Sequence, residues 1–427
     1  MPNCIGNLWA HRCRLYRLLS NECSAAALQA RVLVSMNQRN ARNILFISLS
    51  QLGMAFSFNF LMVFIPFYIH SISPYSPRET LIWVGLIMGS ASFMAAVTST
   101  FWGSLASRFM PKKIYMRGLL SHAVLILLMA FVTNLPLLLA IRVLQGALGG
   151  ISTVGLIIVS SSSSRESAAA DMGFFQNSIT MGQLLGPPVG AFAASMLGYK
   201  GTFVSASALV FITLVFCALY VAEVPQKPGQ RSENGKQGLS TKTLFAWGVC
   251  FAATVQMMFL PGVLPNVFGT FGIEPDIALR WSGVFVMSYT ATAMIGTYLL
   301  CRLAPKIGSV KLIICAGALG ILMQSLLSVS PGISSFVVIR VVQTALIASV
   351  LPFIISLFAS DLSGKVIGFL NSGRFAGNAM GPIIGTSVLA FTGLNWVYLF
   401  ISGLSVLALL GFAFFFSDKE YVSEPGT

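Results

Sequence analysis

Long apolar runs alternate with short polar segments along almost the whole chain. About 20 apolar residues suffice for a helix to cross a bilayer, and a segment in lipid must pair its own backbone polar groups, which favours helices. Twelve such runs follow one another, near 44–69, 81–102, 114–133, 136–160, 169–196, 201–221, 244–268, 281–300, 310–330, 334–359, 366–391 and 397–416. The pattern predicts an all-α polytopic membrane protein with twelve transmembrane helices.

The second half of the chain repeats the first. GFFQNSITMGQLLGPPVG at 173–190 aligns with GFLNSGRFAGNAMGPIIG at 368–385, and IRVLQGAL at 141–148 aligns with IRVVQTAL at 339–346. The repeat predicts two six-helix halves, 42–221 and 243–416, joined by the polar linker 222–242. An even number of helices gives both halves the same orientation, and such a parallel repeat places a substrate site between the halves near the middle of the membrane.

The distribution of charge predicts the orientation. The net charge of +14 does not indicate nucleic acid here, because the cationic residues concentrate on one side of the predicted helices. The opposite loops hold only Arg78, Lys200 and Arg280. Since an excess of Lys and Arg marks the cytoplasmic side, we expect both termini inside, in a bacterial-style inner membrane.

The chain termini are predicted to be cytoplasmic tails, 1–41 and 417–427. Residues 1–41 lack the uninterrupted apolar core of a secretory signal. Met36 directly precedes NQRNARNILF, which resembles an ordinary start for such a protein. The alternative that the first 35 residues are an over-extended start therefore stays open.

Composition argues against an enzyme. The chain is 56% hydrophobic and 9% charged, with three histidines far apart, and no carboxylate pair lies inside an apolar run. A nucleotide-driven pump would need a G-x-x-x-x-G-K-[ST] loop, which is missing from the sequence. The cysteines show no metal spacing, so we expect neither a metal site nor a cofactor.

Three short motifs resemble the major facilitator superfamily, and within it the twelve-helix drug/proton antiporters. They are GSLASRFMPKK at 103–113, RVLQGALGG at 142–150 and GQLLGPPVG at 182–190. The resemblance implies alternating access, an inner gate loop carrying Gly103, Arg108 and Lys112, and a fifth-helix motif typical of exporters. Ser107 stands where the family has an acid, so the charge relay of that loop is incomplete.

Two stretches place a glycine at every fourth residue, which leaves a flat stripe along a helix. In lipid such stripes let helix backbones pack closely, while a proline removes a backbone donor and favours a kink. We interpret both stretches as bendable gating helices at the seam between the halves; a static packing motif is the alternative. The residues are Gly182, Gly186, Pro187, Pro188, Gly190, Gly377, Gly381, Pro382 and Gly385.

Three arginines lie inside predicted spans, where a charge is costly and faces a polar cavity or a partner by default. We predict that Arg142, Arg340 and Arg374 contribute to the substrate cavity. The alternative is a structural role, in which the arginine bonds to neighbouring carbonyls or extends outward to the membrane surface, and it suits Arg142 and Arg340 better than Arg374. Five polar side chains are candidates for the same cavity or for bonds between helices: Asn59, Gln145, Gln183, Gln343 and Asn378.

No carboxylate lies in the middle of a predicted span, and Asp171 comes closest. Proton coupling would then depend on Asp171, on His122, or on the substrate, because imidazole titrates near neutral pH. The alternative is that His122 is a hydrogen-bonded packing residue. Arginine without a counter-charge favours anionic groups, which argues against a cationic drug.

Three functions stay open at this point. The first is a secondary active transporter that acts as a monomer and exports a small organic solute by alternating access, coupled to protons. The solute would be an anionic or neutral metabolite, a siderophore-like polycarboxylate, or a drug. The second is an uptake transporter or facilitator of an organic anion, and the third is a non-transporting membrane scaffold.

Overall fold

The computed structural model describes residues 40–106, 108–163, 167–223, 240–358 and 364–416, and this part of the chain is helical without a strand. The helices are α1 (40–62), α2 (Ile65–Ile72), α3 (Pro77–Ala106), α4 (Pro111–Met129), α5 (Leu135–Ala147), α6 (Ile151–Ser162), α7 (Ala168–Tyr220), α8 (Thr241–Met258), α9 (Leu260–Thr270), α10 (Pro275–Ile307), α11 (Ser309–Leu326), α12 (Ile333–Ile347), α13 (Val350–Leu357), α14 (Gly364–Phe391) and α15 (Leu394–Phe416). A 3₁₀ turn, Leu327–Val329, follows α11.

Within the described residues, each predicted apolar run is mostly helical. By length and composition, eight helical stretches of the described residues could cross a membrane, or nine if α8 and α9, which are bent by 42° against each other, form one span. One of these stretches, Ala170–Tyr220, is far longer than a bilayer is thick. It turns at Gly198, where φ is 67° and ψ is 172°, so two helical arms, 168–197 and 199–220, meet at a sharp corner.

Four of the predicted helices are broken, at corresponding places in the two halves. The breaks separate α1 from α2, α5 from α6, α8 from α9, and α12 from α13. Pro66, Pro261 and Pro352 each follow a break and supply no backbone donor to the turn before them. Gly150 makes the α5–α6 break with φ at 76°. Three of these broken pairs still form single apolar stretches, Asn40–Ile72, Leu135–Ser162 and Ile333–Ile354.

The two halves meet at one end of the bundle. The end that holds residues 73–76, 130–134 and 271–274 is called the first-loop end, and the end that holds residues 108–110 and 308 is called the second-loop end. At the first-loop end α2 packs on α9 and α3 packs on α14. The guanidinium of Arg78 also lies 4.0 Å from the ring centroid of Phe391.

The buried cores follow the same division. One apolar cluster takes in the N-terminal half and the first-loop-end part of the C-terminal half, including Phe64, Phe203, Phe259 and Phe336. The remaining C-terminal core, which includes Ile313 and Phe412, forms a separate cluster. The two halves therefore share a core at the first-loop end and keep separate cores at the second-loop end.

The glycine stripes do not face the other half, contrary to the prediction. A Cβ on Gly182 would lie 2.6 Å from the Phe56 nitrogen, and one on Gly186 would lie 2.7 Å from the Phe56 oxygen. A Cβ on Gly190 would likewise clash with the carbonyl oxygen of Phe60. The stripe of α7 thus packs on α1 of its own half.

The equivalent stripe of α14 packs on α8 and α9 in its own half. A Cβ on Gly377 would lie 2.6 Å from Thr254 Cβ, and one on Gly381 would lie 3.0 Å from Met258 Cβ. Gly385 faces Phe259. A four-residue spacing defines a face of a helix but not the neighbour that it meets, which is why the sequence did not distinguish the two arrangements.

α7 and α14 nevertheless lie at the seam, through a different face. A Cβ on Gly283 of α10 would lie 2.6 Å from the carbonyl oxygen of Pro187 and 2.7 Å from Pro188 Cα. Across the other seam, a Cβ on Gly85 of α3 would lie 3.2 Å from the carbonyl oxygen of Pro382. The prolines, not the glycine stripes, therefore meet the opposite half.

The backbone of α7 and α14 stays helical through these prolines, so neither helix ends there, and the kink stays a prediction. The hydroxyl of Thr386 donates to the carbonyl of Pro382 at 2.9 Å. The helical interruptions lie instead in the four broken helices.

We predict that Gly190→Ala lowers the stability of the protein, because the added methyl group must push α7 away from α1. Forcing extra atoms into a packed interface costs about 1–3 kcal/mol. The measurement is the melting temperature of the purified full-length protein in detergent.

Gly173→Ala is the matched control on the same helix, since a Cβ there meets nothing within 4 Å. Its melting temperature should equal or exceed that of the wild type, because Ala is the better helix former. Equal melting temperatures for the two variants would contradict the close packing of α7 on α1.

Candidate functional site

A cavity of about 210 Å³ lies in the middle of the N-terminal half and faces the seam. Its wall comes from α1, α3, α4, α5, α6 and α7, and from Phe375 of α14 on the other half. The α5–α6 break forms part of this wall through Gly149 and Gly150. The broken helix therefore brings backbone groups as well as side chains to the cavity.

The lining of the cavity is uncharged and combines apolar side chains with polar ones. It includes four of the residues predicted from the sequence, Asn59, His122, Gln145 and Gln183, together with serine and threonine hydroxyls. No Asp, Glu, Lys or Arg belongs to this lining among the residues that the structure describes. Such a surface favours ligands that exchange hydrogen bonds rather than ligands held by an opposite charge.

Arg142 is fully buried and does not line the cavity. Its Nε donates to the carbonyl of Ile87 at 3.1 Å, and its Nη1 donates to Gln145 Oε1 at 2.8 Å. The guanidinium carbon also lies 5.5 Å from the ring centroid of Phe58. The structure therefore differs from the cavity-facing prediction and agrees with its alternative, because these neighbours satisfy the charge inside the half.

Arg340 occupies the corresponding place in the C-terminal half and is also fully buried. Its Nη1 donates to the carbonyl of Gln256 at 2.8 Å and its Nη2 to that of Met257 at 3.0 Å. Pro261 cannot donate to Met257, its partner four residues earlier, so Arg340 replaces a backbone bond that the α8–α9 break removes.

Gln343 belongs to the same network and not to the cavity. Its Oε1 accepts from Arg340 at 2.6 Å, and its Nε2 donates to Gln256 Oε1 at 2.8 Å and to Gln324 Oε1 at 3.0 Å. Its polar atoms are thus occupied by protein neighbours. Gln343 therefore does not line the cavity, which differs from the prediction.

The remaining two cavity candidates lie on α14. Arg374 is half-buried, and its guanidinium has no hydrogen bond or ion pair with the part of the chain that the structure describes. Asn378 is half-buried, and its Oδ1 is buried without a partner. Neither belongs to the cavity lining, although Phe375, next to Arg374, does.

The two proton-coupling candidates lie in different surroundings. His122 is 5% exposed and lines the cavity, with its Nδ1 at 3.2 Å from the carbonyl of Gly118. Because a carbonyl only accepts, this contact makes Nδ1 the donor and leaves Nε2 as an acceptor. Asp171, in the first turn of α7, accepts from the hydroxyl of Ser167 at 2.8 Å and is outside the cavity lining.

The three residues of the predicted inner gate loop lie at the second-loop end. Lys112 donates to the carbonyl of Ala218 at 2.9 Å, and a Cβ on Gly103 would lie 3.4 Å from Thr153. Both contacts are within the N-terminal half. Arg108 is exposed, and Ser107 lies outside the described residues.

Several site residues were missed by the sequence analysis. Gln51 lines the cavity, donates to Ser152 at 2.8 Å and accepts from Tyr115 at 3.2 Å. Trp102 Nε1 donates to the carbonyl of Ala147 at 2.8 Å, and the Arg117 guanidinium carbon lies 3.6 Å from the Trp102 ring centroid. Gln51 could have been identified from the sequence, since a glutamine inside an apolar run needs a hydrogen-bond partner.

Comparisons with known proteins agree with this architecture. The model of the Major Facilitator Superfamily matches residues 47–339 and 245–426. The multidrug resistance protein MdtG of Klebsiella pneumoniae (strain 342) is 27% identical over 366 residues, which cover 81% of this chain and 87% of that protein. The staphyloferrin B transporter of Staphylococcus aureus (strain NCTC 8325 / PS 47) is 26% identical over 349 residues, covering 78% and 82% of the two chains.

A solved structure shows the same fold. A bacterial homologue of the human lysosomal transporter Spinster, in an inward-facing and occupied conformation, superposes with a TM-score of 0.69 at 14% identity. The superposition covers 87% of this chain and 95% of that one. The relatives are transporters and not enzymes, as the sequence predicts. Because the family model matches most of its length, the chain belongs to the Major Facilitator Superfamily.

Proposed function

We propose that this protein is a secondary active transporter that exports a small organic solute, anionic or neutral, by alternating access and in exchange for protons. The observation that carries the proposal is the asymmetry of the bundle. The halves share a core at the first-loop end and keep separate cores at the second-loop end, and a cavity in the N-terminal half faces the seam between them. A cavity that is closed at one end and approachable from the other is what one state of an alternating-access cycle requires.

The proposed topology has twelve spans in two six-helix halves, 42–221 and 243–416. It counts the two arms of α7 as separate spans and each broken helix as one. Residues 1–39 and 417–427 and most of the linker 222–242 lie outside the described residues, and we place the tails 1–41 and 417–427 and the linker on the cytoplasmic side of a bacterial inner membrane. The second-loop end then faces the cytoplasm, where Arg108, Lys112 and other cations lie. We propose that the protein acts as a monomer.

The proposed substrate class follows from the charges that are present. The cavity lining carries no acid that could hold a cationic drug, while Arg374 is a half-buried cation without a partner in the described part of the chain. Such a cation favours carboxylate or phosphate groups. Among the relatives, one is named for staphyloferrin B and another for multidrug resistance, so cationic drugs are the competing class.

The test is transport into inverted membrane vesicles with an acidic lumen. The probes are radiolabelled citrate, as a small polycarboxylate, and ethidium, as a cationic dye. The proposal expects accumulation of citrate that stops when an uncoupler collapses the proton gradient. Accumulation of ethidium without citrate would contradict the anionic substrate class, and transport of citrate that ignores the uncoupler would contradict proton exchange.

We predict that Arg374→Ala raises the KM for citrate transport by about 10-fold or more, since a hydrogen bond to a charged group contributes about 1.5–3 kcal/mol. Arg302→Ala is the matched control, because Arg302 is exposed on α10 near the second-loop end. Its KM should equal that of the wild type. Equal effects of the two substitutions would indicate general electrostatic attraction and not a binding site.

We further propose that His122 carries the coupled proton, because it is the titratable side chain of the cavity lining in the described residues. His122→Gln should abolish accumulation driven by the proton gradient but retain exchange of labelled for unlabelled citrate. His70→Gln, at the first-loop end, is the control and should retain both activities. Gradient-driven accumulation by His122→Gln at the wild-type rate would refute this role and direct attention to Asp171.

One observation favours proton-linked uptake as a second candidate. His122 lies in a cavity lining that holds no carboxylate among the described residues, so an anion bound in the cavity would favour a proton on His122. A proton and an anion that bind together would also move together. In inverted vesicles preloaded with citrate, an acidic lumen would then accelerate efflux of citrate instead of driving its accumulation.

A further inference from the structure

One buried polar atom of the cavity wall has no partner. The buried side-chain atoms without a hydrogen bond in the described residues include atoms of Gln145, Gln324 and Asn378, and among all of them Gln145 Nε2 alone belongs to a residue that lines the cavity. Gln145 is 1% exposed. An unpaired amide donor that is buried this deeply costs free energy unless a ligand or water accepts from it.

The orientation of this amide is set by its neighbour. Arg142 Nη1 lies 2.8 Å from Gln145 Oε1, and arginine has only donors. The atom that faces Arg142 must therefore be the oxygen, and the amino group must point away from it. Arg142 is itself held by the carbonyl of Ile87 on α3, so the amide cannot turn over without losing a charged donor.

The backbone under Gln145 is fixed as well. A Cβ on Gly146 would lie 2.9 Å from Ala91 Cα, so α5 and α3 pack backbone to backbone at this point. The hydroxyl of Thr98 contacts the carbonyl of Gly146 at 3.4 Å. A donor on a rigid support loses little conformational entropy when it binds a ligand.

The repeat provides an internal comparison. Gln343 is held by Arg340 in the same way, but its Nε2 is already occupied by Gln256 and Gln324. Equivalent arginine–glutamine pairs thus have different outcomes in the two halves. In the C-terminal half the amide stabilises the protein, and in the N-terminal half it remains available at the cavity.

We propose that Gln145 is a substrate-binding residue whose Nε2 donates to a carbonyl or carboxylate oxygen of the transported solute, with Arg142 as the positioning residue that orients it. This inference rests on the proposed transport function, because it names a contact in the same cavity. Arg142 then acts on the substrate through Gln145 and does not contact the substrate itself.

The experiment compares Gln145→Leu and Gln145→Glu with Gln343→Leu, in the full-length protein, using citrate transport in inverted vesicles and the melting temperature in detergent. Gln145→Glu keeps an oxygen for Arg142 and removes the donor. Both variants at 145 should raise the KM for citrate about 10- to 100-fold, and Gln145→Glu should change the melting temperature little, because it retains an acceptor for Arg142. Gln343→Leu should lower the melting temperature more, because it removes three hydrogen bonds, and should leave the KM unchanged.

The outcomes separate this inference from the function on which it rests. Citrate transport by the wild type with an unchanged KM in both variants at 145 would overturn the role of Gln145 and leave the transport function in place. Wild-type vesicles that transport neither citrate nor ethidium would overturn the proposed function and this inference with it. A raised KM at 145 and a lowered melting temperature at 343 would support both.

Discussion

A backbone carbonyl released inside a membrane protein must find a donor, because lipid supplies none. This constraint governs the places where the helices of this protein are broken. At the α8–α9 break Arg340 donates to the carbonyls of Gln256 and Met257. At the α5–α6 break Arg117 donates to Leu148 and Trp102 to Ala147. Side-chain donors therefore make the breaks tolerable, and the breaks shape the cavity.

The same constraint explains why the buried arginines are not part of the cavity. A guanidinium that is already bonded to carbonyls and amides within its own half has little left to offer a substrate. What it does instead is fix the direction of a glutamine amide. The two halves use that amide differently. In the N-terminal half its amino group is available at the cavity wall, and in the C-terminal half its amino group is paired with two other glutamines. The cavity lies in the N-terminal half, where Gln145 Nε2 has no hydrogen-bond partner in the described residues.

Much of the architecture could be predicted from the sequence. The apolar runs fixed the helices, and the alignment of IRVLQGAL with IRVVQTAL correctly placed two buried arginines in equivalent positions. Cavity residues such as Asn59 and His122 were found because polar groups are rare in such runs. The neighbours of a residue were harder to predict. Gly182 and Gly186 show a smooth face, but nothing in their spacing says whether α1 or α10 covers it.

The breaks and the free donor show a second limit. Pro66 and Pro261 lie near helix breaks, whereas Pro187 and Pro382 lie within continuous helices, so a proline alone does not determine where a helix ends. Whether Gln145 or Gln343 has a spare donor depends on Gln256 and Gln324, which approach from other helices. These are properties of the packed bundle.

The most direct test of alternating access is a pair of distances measured by pulsed electron paramagnetic resonance in the reconstituted protein. Spin labels at Ser76 and Thr392 report on the two halves at the first-loop end, and labels at Arg108 and Lys306 report on them at the second-loop end. On addition of citrate or acid, we predict that a population appears in which the first distance lengthens and the second shortens. Two distances that stay constant, or that change in the same direction, would contradict it.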